Sequence, residues 1–455
     1  MEIKKVSSSY KDPDGFVFTS NGEFYRCLKA NSIKNIEEFL NSDIFEMLIN
    51  NNKLVRSSLV KNNFFYNEDL INEEDIIMHH EKLQNITKPY EWSFNQLKDA
   101  AIFHLNLEIE LLKKNFCLKD ASAKNIVFKN NKPILIDLLS IRKYEDGNFW
   151  MGQMQFYREF LNPLILKSKL NINFNSWYKG EPDGIKSEDI AKLLSIYDLL
   201  TPSLFIHVFL VAKLKNTKKS INLKSYRYSK NKYIFILKSL KKIIQNLSLK
   251  KKNHLEWSNY SNFLPYQRDD FKKKEFLVKK FLNHDFKTVI DLGCNDGHFT
   301  FMAKNTSVVY GLDSNHDCID FCYLKSKEKN NNFIFKIRDI SNLIIDENNR
   351  DNKIFDASIC LALIHHLRIT SNIPLDMIVN YIARISRRGL VEFINKDDEK
   401  CSELIKLKGD YYQDYNKENF LRLLEINNLS VVNLDYIKSK KRFIVEFKNL
   451  NFLTD

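Results

Sequence analysis

Short apolar runs alternate with longer mixed segments through the second half of the chain. The first, Val289–Leu292, ends in a glycine-containing turn, and the next, Val308–Leu312, ends in the acidic Asp313. The pattern predicts a strand, a tight loop, a helix and a second strand. This order is typical of the first crossover of a nucleoside-binding α/β sheet. Two late apolar stretches between Leu429 and Phe447 predict an antiparallel hairpin.

The turn and the acidic residue after the second run form the candidate ligand site. Asp313 lies 22 positions after Asp291, and a carboxylate at that strand end can accept both ribose hydroxyls. A dinucleotide site usually has Gly-x-Gly-x-x-Gly for its pyrophosphate. Two carboxylates repel a pyrophosphate but suit the sulfonium and ammonium groups of S-adenosyl-L-methionine, and glycines let the backbone approach a ligand. An α/β turn without a ligand is the alternative. The predicted cofactor-binding residues here are Asp291, Gly293, Cys294, Asn295, Asp296, Gly297 and Asp313.

These residues resemble motif I of the class I methyltransferases, and the downstream segments keep that family's order. Phe333–Ile337 resembles the third strand, and the resemblance places the following pair, Asp339 and Ile340, at the adenine. The run from Phe355 resembles the fourth strand and includes Leu361, a further predicted cofactor contact. Gly389–Ile394 resembles the fifth strand. The resemblance implies an α/β fold, a Rossmann-like, seven-stranded mixed sheet.

His365 and His366, at the end of the predicted fourth strand, are the candidate catalytic residues. Ligands of open α/β sheets lie outside the carboxyl ends of the strands. Methyl transfer to a hydroxyl needs a general base with a pKa near neutral, which histidine supplies best. We expect one histidine in that role, with Glu392 as an orienting carboxylate or second base. A packed core histidine or an adenosyl contact is the alternative.

Two further groups of polar residues flank this site. Asp397 and Asp398 could bind acceptor hydroxyls, but a solvated charge run is the favoured interpretation. Tyr266 and Lys274 belong to a short aromatic-bearing helix ahead of the first strand. They are candidates to cover the cofactor, and a helix packed on the sheet edge is the equal alternative.

The first half of the chain has a different candidate site. Asp120 is followed five residues later by Asn125, and Asp137 follows a hairpin with an Asn-Asn-Lys turn. The arrangement resembles the catalytic loop of protein and small-molecule kinases, in which an Asn and a second Asp bind metal. The alternatives are a kinase-like fold alone, an active kinase, or a turn with Asx capping.

Other kinase features are weak in this half. Gly15–Arg26 is predicted to be a hairpin with a Ser-Asn-Gly turn rather than a glycine-rich phosphate loop. Arg26 or Lys29 would replace the usual lysine, with Glu46 as its partner. Three domains are predicted: an N-terminal α+β kinase-like lobe at 1–142, a helical lobe and linker at 143–252, and a methyltransferase domain at 253–455.

Nearly the whole chain resembles a bacterial family of class I methyltransferases with a long N-terminal extension. Some members are labelled nodulation proteins, and many accompany polysaccharide genes. The segments that carry the resemblance are Gln96–Ala101, Leu118–Ala123, Pro133–Ser140, Ala362–Leu367 and Glu392–Asp398. The resemblance implies methylation that depends on S-adenosyl-L-methionine, and we expect O-methylation of a glycan or cell-surface saccharide precursor. The alternatives are a bifunctional kinase and methyltransferase on one acceptor, a methyltransferase of nucleic acid or a small metabolite, and a non-catalytic cofactor-binding module.

Composition narrows the choice of partners. The net charge of +13 would suit nucleic acid, but the lysines are scattered and no zinc-finger spacing or RNA-binding signature is present. Cys318 and Cys322, four positions apart in a predicted helix, indicate a core role with reduced thiols, and no metal site is predicted. The N-terminus lacks a secretory signal, and the longest apolar helix candidate, Ser203–Leu214, is too short for a bilayer. We expect a cytoplasmic protein without a membrane span.

Overall fold

The computed structural model describes residues 3–6, 14–30, 33–60, 65, 70–83, 86–216, 229–249, 268–329, 333–346, 353–409, 411–437 and 440–452. The chain folds as two compact units, Met1–Lys250 and Lys251–Asp455. The predicted linker at 250–253 and Tyr266 lie outside the described residues. The predicted division of the first half between residues 142 and 143 stays a prediction.

Unit 1 begins with an antiparallel sheet in the order β1-β2-β3-β5-β4. Its strands are β1 Lys4–Lys5, β2 Gly15–Ser20, β3 Glu23–Leu28, β4 Ser57–Val60 and β5 Ile76–His80, and helices α1 Ile33–Leu40 and α2 Asp43–Asn50 lie between β3 and β4. The predicted hairpin at Gly15–Arg26 is confirmed. Its turn residues Asn21 and Gly22 have φ of 51° and 77°, the left-handed values that a two-residue hairpin loop requires.

The rest of unit 1 packs around the long helix α3, Phe94–Lys113. Ser93 and Gln96 form a capping box at its start, which satisfies backbone N–H groups that the first turn leaves unpaired. Two antiparallel pairs follow: β6 Phe116–Leu118 with β9 Ile141–Lys143, and β7 Ile126–Lys129 with β8 Lys132–Leu135. The turn between β7 and β8 is the predicted Asn130–Asn131 turn, and both residues are left-handed.

The predicted helical lobe is also confirmed for the described residues between Trp150 and Leu247, which exclude 217–228. Two π-helical stretches, Tyr157–Leu161 and Phe205–Leu210, lie within this region. One apolar core includes residues from Trp92 to Leu247. The helices are α4 Gln153–Phe156, α5 Asn162–Leu170, α6 Asn175–Gly180, α7 Ser187–Leu193, α8 Ile196–Leu199, α9 Pro202–Leu204, α10 Val211–Asn216 and α11 Lys230–Asn246.

Unit 2 contains a seven-stranded sheet in the order β12-β11-β10-β13-β14-β16-β15. The strands are β10 Thr288–Leu292, β11 Val308–Asp313, β12 Phe333–Ile337, β13 Phe355–Cys360, β14 Ser386–Ile394, β15 Leu429–Ile437 and β16 Arg442–Asn449. The first five are parallel, and β16 pairs antiparallel with both β14 and β15. The predicted seven-stranded mixed sheet and its late hairpin are therefore confirmed.

Helices cover both faces of this sheet. They are α12 Arg268–Leu282, α13 His316–Lys329, α14 Ile340–Ile345, α15 Leu375–Ile385, α16 Glu399–Lys408 and α17 Lys417–Ile426. Neighbouring residues of β10 enter different cores: Val289 packs with Val278 and Ile319 of α12 and α13, and Ile290 belongs to the core that contains residues of α15 and α17. Such alternation follows from the two-residue period of a strand, and burial on both faces explains the near-continuous apolar runs.

The helix predicted directly after the β10 loop is wrong. Only a 3-10 turn, Thr300–Met302, forms there. Ten residues separate Gly297 from Val308, and a helix rises about 1.5 Å per residue. So short a segment cannot form a helix that runs back along the strand and also a connection to β11. No helix N-terminus therefore faces this loop.

Among the described helices, none combines the length and the apolar character needed for a bilayer span. The longest described helix, α3, is charged, since it includes five acidic or basic side chains: Lys98, Asp99, Glu108, Glu110 and Lys113.

Candidate functional site

Asp313 ends β11 and holds the loop that follows β10. Its Oδ2 accepts the backbone N–H of Asn295 at 2.8 Å, and its Oδ1 accepts that of Asn315 at 2.8 Å. Asn295 has a left-handed φ of 48°. Burial raises the pKa of the Asp313 carboxyl above its usual value. The structure therefore joins the two segments of the predicted motif through this carboxylate.

Asp291, in β10, is the second buried carboxyl of this site. It is 3% exposed, and its Oδ2 accepts the Thr300 hydroxyl at 2.6 Å. Burial is the main cause that raises the pKa of Asp291 to about 7, and the charges of Asp313 and Asp296 raise it further, whereas Thr300 and Lys274 lower it. A cation beside Asp291 and Asp313 would lower both pKa values and would bind favourably for that reason.

The two glycines of the loop have different roles. Both are left-handed, with φ of 75° at Gly293 and 74° at Gly297. A Cβ at Gly297 would lie 2.9 Å from the Cys322 sulfur and from the Phe301 ring, whereas one at Gly293 would meet only the flexible end of Leu363 at 3.2 Å. Packing alone therefore requires Gly297 to be a glycine. Close approach of a ligand at Gly293 stays a prediction.

The side chains between these glycines bond mainly to the protein. Cys294 is buried, and burial raises the pKa of its thiol. The Asn295 Oδ1 lies 2.8 Å from the Cys318 sulfur, and the Asp296 Oδ1 accepts the His298 N–H at 3.1 Å. The Asn295 backbone is engaged as well, since its N–H donates to Asp313 and its carbonyl accepts from the Cys322 thiol at 3.4 Å. Contact of Asn295 with a cofactor stays a prediction.

The remaining predicted cofactor residues follow β12 and β13. Asp339 is exposed and caps α14 by accepting the Ser341 N–H at 2.9 Å. Ile340 and Leu361 are buried. Because β10 to β13 are parallel, these residues and Asp313 lie at the same carboxyl edge of the sheet. Their contact with a cofactor stays a prediction.

The segment after β13 carries the histidine pair. Ala362 has a left-handed φ of 50°, which a residue with a Cβ rarely adopts. The ring centroids of His365 and His366 are 4.1 Å apart. His365 is 4% exposed, and burial is the main cause that lowers its pKa to about 3. Burial also lowers the pKa of His366, which has the more exposed position. Both rings are therefore neutral at pH 7.

Arg368 anchors the turn that includes His366. This turn is the π-helical stretch His366–Thr370, which begins at the histidine and contains Arg368. The Arg368 guanidinium donates to both carboxylate oxygens of Asp414, with Nε at 2.9 Å from Oδ2 and Nη2 at 2.7 Å from Oδ1, and it lies 4.8 Å from the Tyr412 ring. Such a two-pronged pair restricts the geometry of the chain at both ends.

Glu392 belongs to a buried network of four charges with Lys274, Arg442 and Asp398, called the buried quartet below. Lys274 Nζ donates to Glu392 Oε2 at 2.6 Å, and Arg442 Nη1 lies 3.7 Å from Glu392 Oε1. Arg442 also donates to both oxygens of Asp398 at 2.8 Å. None of the four is more than 3% exposed. Two cations thus balance two carboxylates, which is the condition under which buried charges are tolerated.

The buried quartet corrects one expectation and refines another. Asp398 is not part of a solvated run, because it is fully buried, bonds to Arg442 and caps α16 through the Lys400 N–H. Glu392 is engaged by two cations, which favours the orienting role over that of a second base. The role itself stays a prediction.

Unit 1 brings its predicted site residues together. The Asn125 amide donates to Asp120 Oδ1 at 3.1 Å and to Asp137 Oδ2 at 3.4 Å. Burial is the main cause that raises the pKa of Asp120 to about 6, and the Asp137 charge adds to it. Arg26 Nη1 lies 3.1 Å from Asp137 Oδ1. The three residues therefore form one polar cluster.

The predicted lysine and glutamate pair of a kinase is wrong. Arg26 pairs with Asp137, and Lys29 donates to Asp75 at 2.8 Å. Glu46 is exposed, because α2 packs through Ile44 and Leu48 and so directs Glu46 to the opposite side. No residue of α2 is placed to take the partner role.

The seven cysteines are all free and buried, which confirms the core role predicted for Cys318 and Cys322. In the part of the chain that the structure describes, no group of three or more His, Cys, Asp or Glu side chains is arranged to hold a metal ion.

Comparison with known sequences gives the family. No family model matches the chain. Nodulation protein NoeA of Rhizobium meliloti (strain 1021) is 32% identical over 463 residues, which cover 98% of this chain and 96% of NoeA. The chain belongs to the NoeA family of nodulation proteins. The similarity to a nodulation protein that the sequence predicted is thereby confirmed over both units.

Several solved structures are similar to part of this NoeA family member. The magnesium protoporphyrin IX methyltransferase ChlM of Synechocystis PCC 6803 with bound SAH is 20% identical and covers 40% of this chain and 84% of its own, with a TM-score of 0.32. The N-methyltransferase NodS of Bradyrhizobium japonicum WM9 is 11% identical and covers 40% and 98%, with a TM-score of 0.32. The bifunctional kinase-methyltransferase WbdD is 17% identical and covers 44% and 43%, with a TM-score of 0.30. Likeness at this level does not establish a shared activity.

Sequence reasoning missed those residues of this NoeA family member that hold the predicted site residues in place and are not themselves predicted to contact a ligand. Arg442 was not singled out, because it follows Lys440 and Lys441 directly and so resembles the end of an exposed basic turn before the apolar run Phe443–Val445. Arg368 and Asp414 carried no signal, since they are 46 positions apart in the sequence. Thr300 was also missed, although it lies only nine positions after its partner Asp291.

Proposed function

We propose that unit 2 is a methyltransferase that uses S-adenosyl-L-methionine. The observation that carries the proposal is the pair of carboxyls formed by the buried Asp291 and the half-buried Asp313, which lie at the carboxyl edge of β10 and β11, the first crossover of the sheet. The strand order and the single antiparallel strand are those that the class I resemblance implies. Ligands of open α/β sheets bind at this edge.

The residues present fit the cofactor. Asp313 offers a carboxylate to the ribose hydroxyls, and Asp291 offers a second one to the positively charged part of the cofactor. Both have pKa values raised by burial, so a bound cation would gain from their full ionisation. Gly293 leaves the backbone approachable, while Ile340 and Leu361 supply apolar surface. When bound, S-adenosyl-L-methionine supplies an activated methyl group.

His366 is the stronger candidate for general base. An acceptor hydroxyl must lose its proton as it attacks, and an effective base has a pKa near the working pH. His365 has a pKa of about 3 and is nearly buried, so it is too weak a base. Its contact with His366 makes it a positioning residue instead. Arg368 fixes the turn that carries His366, and water exclusion and alignment supply the remaining acceleration.

We propose a glycan or another cell-surface saccharide precursor as the methyl acceptor. The full-length resemblance to a family that accompanies polysaccharide genes supports this choice, as does membership of a family of nodulation proteins. The methylated atom is left open, and a hydroxyl oxygen is the candidate that the histidine pair suits best.

Calorimetric titration of the full chain with S-adenosyl-L-methionine tests the proposal. Asp313→Asn keeps the shape of the side chain but removes its charge, and we expect a loss of affinity of roughly tenfold to a hundredfold, as for a hydrogen bond to a charged group. Asp285→Asn is the matched control, because Asp285 is exposed at the opposite end of β10. No binding by the unchanged protein, or equal affinities of the two variants, would contradict the proposal.

A second candidate function concerns unit 1: transfer of a phosphoryl group from ATP to the same acceptor. The cluster of Asp120, Asn125 and Asp137 favours it, since these residue types hold nucleotide-bound metal in kinases. Arg26 weighs against it, because its guanidinium occupies the side of Asp137 that a metal would need.

Equilibrium dialysis with ATP and Mg²⁺ separates the two interpretations of unit 1. Phosphoryl transfer predicts metal-dependent binding that Asp137→Ala abolishes and that the exposed control Asp146→Ala leaves unchanged. Absence of ATP binding by the unchanged protein would leave the cluster with a structural role only. The methyltransferase proposal does not depend on this result.

A further inference from the structure

Unit 1 exposes a group of large apolar side chains around the short helix α8. The group is called the α8 patch and consists of Ile196, Tyr197, Leu200, Phe205 and Ile206, which are 72%, 80%, 74%, 40% and 51% exposed. Single exposed apolar residues are common on protein surfaces, but five within eleven positions are not. A surface of this kind indicates an apolar partner.

The local structure holds the α8 patch outward. The Ser195 hydroxyl oxygen accepts the Asp198 N–H at 3.2 Å, and the Asp198 carboxylate accepts the Ser195 backbone N–H at 3.2 Å, which forms a capping box at the start of α8. Leu204 and Val208 are buried in the core of unit 1. Leu204 and Val208 therefore hold the segment against the core, while the side chains of the α8 patch are exposed.

The sequence next to the patch has an unusual charge. Between Leu199 and Lys250 it contains twelve Lys or Arg and no Asp or Glu, so this stretch carries all but one of the net +13 charges of the chain. The lysines are thus less scattered than the composition suggests. In the described part of the stretch, Lys213 of α10 is exposed.

Helix α11 repeats the combination of basic and apolar side chains. Its inner face packs through Tyr233, Leu237, Leu240 and Ile244. On its outer face Phe235 is 71% exposed, and exposed lysines lie three positions before it, three after it and seven after it, at Lys232, Lys238 and Lys242.

We propose that unit 1 docks on the surface of a lipid bilayer with anionic headgroups, through the α8 patch and the exposed lysines of α10 and α11. Apolar side chains gain by entering the interface of a bilayer, and lysines gain from nearby anionic headgroups. Nucleic acid would satisfy the lysines but would offer little to Ile196 and Leu200. A second copy would bring two strongly positive surfaces together, which repel each other. The protein is thereby placed at a membrane surface without spanning it.

Sedimentation of the full chain with vesicles tests this docking. Vesicles that contain phosphatidylglycerol should bind the protein and vesicles of phosphatidylcholine alone should not, with weaker binding at higher salt. The triple variant Ile196→Ser, Tyr197→Ser, Leu200→Ser should reduce the partition coefficient by at least roughly tenfold. The double variant Leu407→Ser, Tyr411→Ser is the matched control, since both residues are about as exposed but lie in unit 2. It should bind as the unchanged protein does.

Three outcomes would overturn the proposal. They are equal binding to both kinds of vesicle, undiminished binding of the triple variant, and complete displacement from vesicles by inorganic phosphate or duplex DNA at matched ionic strength. The last would show a phosphate or nucleic-acid site rather than a bilayer surface. If the triple variant melts at a lower temperature than the unchanged protein, the single variant Tyr197→Ser takes its place, and we then expect a smaller decrease in the partition coefficient. In the absence of vesicles, faster sedimentation of the unchanged protein than of the triple variant would instead show self-association and would identify a second copy as the occupant of the α8 patch.

Discussion

The buried quartet makes a quantitative prediction for Lys274→Met. Methionine matches the length of the lysine stem but leaves the Glu392 carboxylate without its 2.6 Å partner, and the Arg442 contact at 3.7 Å is shared with Asp398. Loss of one partner of a buried ion pair costs about 3–5 kcal/mol. For a unit of this size, each kcal/mol corresponds to about 2–4 °C. We therefore expect the melting transition of unit 2 to fall by roughly 6–20 °C.

Differential scanning calorimetry at pH 7 measures this change, with urea unfolding followed by circular dichroism as a second method. Lys272→Met is the matched control. Lys272 lies on the same helix, is exposed, and pairs with Asp269 only at 4.0 Å. Its loss should cost no more than about 0.5 kcal/mol. The double variant Lys274→Met, Glu392→Gln should recover much of the lost stability, because no uncompensated charge is then buried.

Either of two results would contradict the expected loss of stability. Lys274→Met could melt within 2 °C of Lys272→Met, where roughly 6 °C is the least we expect, which would mean that water or another group compensates Glu392. Alternatively, the double variant could be as unstable as the sum of its single changes, which would mean that the buried quartet stabilises by geometry rather than by charge balance.

Three further predictions concern other parts of the chain. Because the pKa of Asp291 is about 7, affinity for S-adenosyl-L-methionine should rise with pH below pH 7 and level off above it; titrations at several pH values should show this, and Asp291→Asn should lose most of the dependence. Arg368→Lys keeps the charge but loses the two-pronged contact to Asp414, so the kcat of methyl transfer should fall roughly tenfold or more with little change in cofactor affinity; an equal loss in both would contradict a positioning role. Glu108 in unit 1 is fully buried and its pKa is raised to about 7 from 4.5. The folded state then binds more protons than the unfolded state, so Glu108 alone should cost unit 1 about 3 kcal/mol as pH rises from 4.5 to 7; urea unfolding at both pH values measures it, and Glu108→Gln should lose about 3 kcal/mol less than the unchanged protein over this range, with Asp120 causing part of the dependence that remains.

The sheet of unit 2 could be predicted because its information is local. Each buried parallel strand is a nearly continuous apolar run, and the turn after β10 combines glycines with acidic residues in a spacing that few other folds require. The late hairpin followed from two apolar stretches close together. The pair Asp120 and Asn125 and the Asn130–Asn131 turn were predictable for the same reason.

The contacts that depend on distant pairs could not be predicted. Lys274 and Glu392 are 118 positions apart, and only the folded sheet brings α12 to β14. Gly297 looked like a ligand contact because its neighbour across the loop, Cys322, belongs to a separate helix. No helix forms after this loop because the segment between Gly297 and Val308 is too short to run back along the sheet. A sequence that favours the start of a helix cannot change that.

Ala362 shows how a small cost to the fold can restrict a reactive group. A left-handed conformation costs a residue with a Cβ about 1 kcal/mol or more, and the apolar neighbours Leu361 and Ile364 must offset that cost. A glycine at position 362 would remove this cost, but it would also allow backbone conformations that a Cβ excludes. The methyl group of one alanine thus narrows the directions in which the two imidazoles can be presented, and it does so before any acceptor arrives.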